Sequence, residues 1–203
     1  IGTSVTVAIP TLIRMVRECD ARIAELAMQE LARKGKVAAV AIAEQFSQIT
    51  NPVPRKMLVY ALLAMGADAE PAIPQLAQAL SEAEGDEDAA HIAFGLWGCR
   101  NVAAPAIPAL INCIIENRPE RVCEWAERTL GAIGRQAIEA VQESIRTSDG
   151  DCRWRLETML ARLSAVDDSR FKKFETLNND RLLLMFLRIA ELIKERGRIG
   201  YMK

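Results

Sequence analysis

The chain has 203 residues, half of them hydrophobic and 5% aromatic, with 26 Lys and Arg against 27 Asp and Glu for a formal net charge of −1. That balance excludes a global electrostatic attraction to nucleic acid or to an anionic membrane. No apolar run approaches the roughly 20 residues that cross a bilayer, and abundant Ala, Leu and Ile without strand-type alternation suit helix packed on helix.

The chain opens on Gly2 to Leu12, G-T-S-V-T-V-A-I-P-T-L, and this pattern returns. Gly66 to Leu76 reads G-A-D-A-E-P-A-I-P-Q-L and Arg100 to Leu110 reads R-N-V-A-A-P-A-I-P-A-L; looser copies start at Gly35 and Gly134. A period of 31 to 34 residues between those five starting positions marks a stacked-repeat protein. Six residues after each start stands Ala8, Ala41, Ala72, Ala106 or Ala140, followed by Ile9, Ile42, Ile73, Ile107 or Val141. Four before stand Leu31, Leu62, Leu96 and Leu130, and eight before stand Ala27, Leu58, Ile92 and Ala126. Such spacing lies on one helix face. Each unit is therefore helix A, a tight turn near the Gly position, and helix B. Pro10, Pro74 and Pro108 are expected near the start of helix B, where a missing N–H costs little. Pro71 and Pro105 hold the residue before them extended and separate the two helices.

In chain order, residues 1–18 supply a helix B over Ala8 to Arg17, entered without its helix A, so the native chain is expected to begin upstream of Ile1. The second unit pairs Asp20 to Lys34 with Ala41 to Ile49, and Thr50 to Pro54 forms a turn. The third unit ends in the acidic loop S-E-A-E-G-D-E-D at 81–88. The fourth covers 88–116 and the fifth about 120–147, its helix A ending in L-G-A-I-G. A last helix A runs from Arg153 to Leu163. Ser164 to Glu175 reads as a linker, and Asn178 or Asn179 caps a broadly apolar helix from Asp180 to Arg196 that Gly197 stops. That helix covers the open end of the repeats or begins a further domain. The expected division is 1–164 and 165–203.

The G-x-x-A-x-P-A-I-P-x-L turns and the L-G-x-I-G helix end resemble HEAT repeats, in particular the short bacterial HEAT-like type also found in phycobilin lyases. The resemblance covers residues 1–164. It implies an all-α fold, a right-handed α-solenoid of about five helical-hairpin repeats plus a C-terminal helix, with helices A convex and helices B concave.

On helix B the apolar series faces inward, leaving Arg14, Gln45, Gln75, Gln78, Asn112, Gln142 and Glu143 to form a polar groove for a protein partner, or plain solvated surface. The acidic loop Glu82, Glu84, Asp86, Glu87 and Asp88 reads as a soluble turn or a contact for a basic partner. It lacks EF-hand spacing, and no metal is expected there. His91 reads as a packing residue, because it sits half a helical turn out of register with Cys123, the nearest thiol. The five Cys form no CxxC pair and read as reduced thiols of a cytoplasmic protein, with Cys99 buried. Some HEAT-like proteins are DNA glycosylases that use concave aromatics, but Trp97, Trp125 and Trp154 all fall on helices A. The expected function is a non-catalytic protein-interaction scaffold without a cofactor. The alternatives are a nucleic-acid-associated protein acting through the basic segment 165–203, or a bilin-lyase-like protein by family analogy.

Overall fold

Repeat turns are set by one position, five residues past the Gly start. In the computed structural model, which describes the backbone of residues 2–165 and the side chains of 8–163, Gly35, Gly66 and Gly134 have φ of 57°, 61° and 84°. These are values that glycine reaches without steric penalty. Where Pro71 or Pro105 follows, the chain winds as a 3-10 helix over Gly66–Ala72 and Arg100–Ala106 before the α-helix begins. An α start nearer the turn would need an N–H that proline lacks. Where Val40 or Glu139 stands instead, the α-helix starts directly after the glycine, at Lys36 or Arg135.

The resulting helices are α1 (Gly2–Glu18), α2 (Ala21–Lys34), α3 (Lys36–Phe46), α4 (Pro52–Met65), α5 (Ile73–Glu82), α6 (Asp86–Cys99), α7 (Ile107–Ile115), α8 (Glu120–Ile133), α9 (Arg135–Thr147) and α10 (Gly150–Ala165). Every regular element among the described residues is helical. Several ends differ from the sequence expectation. Helix α1 begins at Gly2, so Pro10 lies inside it, whereas Pro74 and Pro108 do occupy first-turn positions. Helix α3 starts five residues earlier and stops three earlier than Ala41 to Ile49. Pro52 opens α4 with Asn51 as cap, its side chain accepting from the Val53 amide at 3.1 Å, so the expected turn at 50–54 is largely helix. Asp20 caps α2, accepting from Arg22 and Ile23 amides at 3.0 and 3.1 Å. The expected linker begins inside α10, and the expected helix at 180–196 lies outside the described residues.

The register positions make the core. Leu31, Leu62, Leu96 and Leu130 are all fully buried, as are Ala38, Ala69, Ala103 and Ala137 three residues past the turn start. Ile42, Ile73 and Val141 match them at 0% exposure. The even-numbered helices pack in succession, α2 on α4, α4 on α6 and α6 on α8; α5 packs on α7, and α3 meets the 66–72 turn. Small residues allow the closest approach. A Cβ added at Gly98 would lie 2.9 Å from the Leu63 carbonyl oxygen and 3.2 Å from its Cα. The buried Thr129 hydroxyl lies 2.9 Å from the Ala93 carbonyl oxygen on α6, and 2.7 Å from that of Trp125.

Backbone contacts gather the described residues into one compact unit. The stretch Asp86–Ile115 reaches a mean hydropathy of 1.3 over an 18-residue window, enough by length and composition alone to cross a membrane. It is divided, however, into α6, a 3-10 turn and α7, with Arg100 at φ 54° between them. Half of that window is buried, and burial accounts for its apolar character.

Candidate functional site

The odd-numbered helices α1, α3, α5, α7 and α9 carry the segments expected as helix B. Arg14, Gln75, Gln78, Asn112, Gln142 and Glu143 are exposed. Arg14, Gln78 and Asn112 stand twelve residues past the pattern starts at Gly2, Gly66 and Arg100, a register shared by the exposed Ser47 just past α3 and the exposed Arg146 on α9. Gln45 is half-buried, because it occupies the register of the buried Leu76 and Leu110. Two of these residues are already engaged at the surface: Gln78 donates to Glu82 at 2.8 Å, and Glu143 pairs with Arg146.

The acidic stretch is not one loop. Glu82 ends α5, only Ala83–Gly85 connects, and Asp86, Glu87 and Asp88 form the first turn of α6, where carboxylates face the positive end of the helix. Two of the five serve the packing of the chain. Asp86 lies 3.3 Å from Arg118, whose guanidinium also donates to the Ala83 carbonyl at 2.8 Å. Asp88 lies 3.2 Å from Arg55 Nε. That contact is an ion pair without hydrogen-bond alignment, since Nε is buried and has no hydrogen-bond partner. Burial pushes the Asp88 carboxyl upward more than Arg55 draws it down. Arg55 also stands 4.8 Å over the Phe46 ring, and its Nη1 lies 3.5 Å from the Ile49 carbonyl. Arg155 repeats the theme, donating to the Ile115 carbonyl at 2.9 Å. Each of these arginines meets carbonyls just past or at the end of an odd-numbered helix, where the acceptors lack helical partners. Sequence reading misses them because each bridges elements brought together only by packing.

His91 is buried and meets Tyr60 edge-on, with ring centroids 5.9 Å apart. Burial, then the charges of Lys56 and Arg121, push its pKa down to about 4, so it is neutral at pH 7. The thiols point elsewhere. Cys123 Sγ lies 3.0 Å from the Arg118 carbonyl and 3.5 Å from that of Cys113. Burial pushes Cys113 up to about 11 and Cys99, which is 1% exposed, up to about 12. Those are the settings of packing thiols, not of nucleophiles.

Trp97 and Trp125 belong to an aromatic cluster on the even-numbered helices. Phe94 lies 4.5 Å from Trp125 and 6.1 Å from Trp97, and Arg128 stands 4.8 Å over Trp125. Trp154, on α10, stands apart from that cluster and is 66% exposed.

No protein-family model matches the sequence, and no curated protein matches it either.

Proposed function

We propose that the described residues form a HEAT-like α-solenoid that acts as a non-catalytic scaffold, binding a protein partner on the face made by α1, α3, α5, α7 and α9. The observation that carries this reading is the exposed register of Arg14, Gln78 and Asn112, set on helices whose inner positions are fully occupied by core. A repeat that packs only on its neighbours leaves such a face open and preshaped, so binding orders little chain. The even-numbered helices form the opposite, convex side in this reading. The place of action is proposed to be the cytoplasm, from the unpaired cysteines.

The test is affinity capture from cell lysate at low and high salt, with and without nuclease. A discrete protein retained through nuclease and high salt, and lost when Gln78 and Asn112 are replaced by Ala, is the expected result. Loss of all retained material on nuclease treatment sinks the scaffold reading and favours nucleic acid.

A further inference from the structure

Across α3, α5 and α7 the only Lys or Arg is Lys36, the first residue of α3, and it is ion-paired with Glu70 at 3.0 Å. Arg118, which follows α7, turns inward to Asp86 and is 13% exposed. Besides Lys36, the exposed polar residues of these helices are Gln75, Gln78, Asn112, Ser81, Glu44 and Glu82, with Glu116 just past α7. Glu44 shares the register of Gln75, nine residues past the turn start. Glu82 and Glu116 share another, sixteen past it, where the negative ends of α5 and α7 add to their charge. On either side the face changes character, since α1 carries Arg14 and Arg17, and α9 carries Arg135 and Arg146.

From this charge pattern we infer that the face of α3, α5 and α7 takes a short cationic protein segment, laid across the three helices with Lys or Arg side chains toward Glu44, Glu82 and Glu116. Neighbouring helix axes lie roughly 8–10 Å apart. Three helices thus span about 20 Å, the reach of about six extended residues. The amides in the middle of the face suit main-chain hydrogen bonding, and the rim carboxylates set partner choice and encounter rate. A nucleic acid is disfavoured, because its phosphates would meet carboxylates without a free cation. This inference rests on the scaffold reading and gives its partner a chemistry.

The test uses the full chain and two labelled peptides, one of repeated Lys-Val-Ser triplets and one of Glu-Val-Ser triplets, read by fluorescence anisotropy. The Lys peptide is expected to bind about ten-fold more tightly than the Glu peptide, less so as salt rises. A triple variant, Glu44→Gln, Glu82→Gln and Glu116→Gln, should weaken the Lys peptide about five-fold or more. Removing the same charge from the even-numbered helices, by Glu25→Gln, Glu87→Gln and Glu120→Gln, should leave it unchanged. Equal weakening by both triples means net charge alone acts and overturns the inference, as does equal or tighter binding of the Glu peptide or no binding of either. The scaffold reading fails separately, if capture of the lysate partner ignores Gln78→Ala and Asn112→Ala.

Discussion

Arg100 occupies the place that glycine fills in the other turns, at φ 54° and ψ −130°. For a residue with a Cβ that region costs on the order of 1–3 kcal/mol. Arg100→Gly should accordingly raise stability by about 1 kcal/mol, after the extra freedom of glycine in the unfolded chain is subtracted. A thermal melt checks it, and an unchanged or lower midpoint would contradict the strain. At His91 the sign of the pH effect follows from a folded pKa near 4, below the ordinary 6.5. The unfolded chain binds the proton first, so stability is lost as pH falls from 6.5 toward 4 and is complete above that window. Melts of His91→Met over this range should be flatter than those of the parent. Asp88, whose pKa is raised, acts with the opposite sign and is common to both proteins.

Two contacts decide how the helices meet. Gly98 lets α6 approach α4 so closely that a methyl group would press on the Leu63 backbone. Ala in a helix interior usually gains about 1 kcal/mol over Gly. Here overpacking against immovable backbone should reverse the sign, making Gly98→Ala destabilising by about 1–2 kcal/mol in a denaturant titration. Arg118 ties the end of α5 and the start of α6 to the segment before α8. Its loss in Arg118→Met should cost about 1.5–3 kcal/mol, the range for hydrogen bonds to a charged group, and should speed amide exchange in the first turn of α6. Unaltered exchange there would show that the arginine braces nothing. The core columns were legible in the sequence, since Leu62 and Ile73 recur at fixed distances from a turn glycine. Element ends were less so. Pro71 and Pro105 read as breakers, yet they delay the α-helix by a 3-10 turn, and Val40 in the same place does not.

At the largest scale, both helix sets of the described residues bury apolar positions and expose polar ones. Most polar residues expected on the outer side of helix B are exposed; Gln45 is half-buried because its register belongs to the core. The acidic loop was legible as composition but not as structure, because Asp86 and Asp88 find their arginines 32 and 33 residues away. No local spacing encodes such a meeting. The same holds for the charge proposed for the face of α3, α5 and α7, since Glu44, Glu82 and Glu116 stand on or next to three separate helices. The most direct measurement is hydrogen exchange of the full chain, alone and with the partner retained by capture. Slower exchange confined to Lys36–Phe46, Ile73–Glu82 and Ile107–Ile115 is the expected result. Slowing confined to Pro52–Met65, Asp86–Cys99 and Glu120–Ile133 would place the partner on the aromatic side and contradict the scaffold face proposed here.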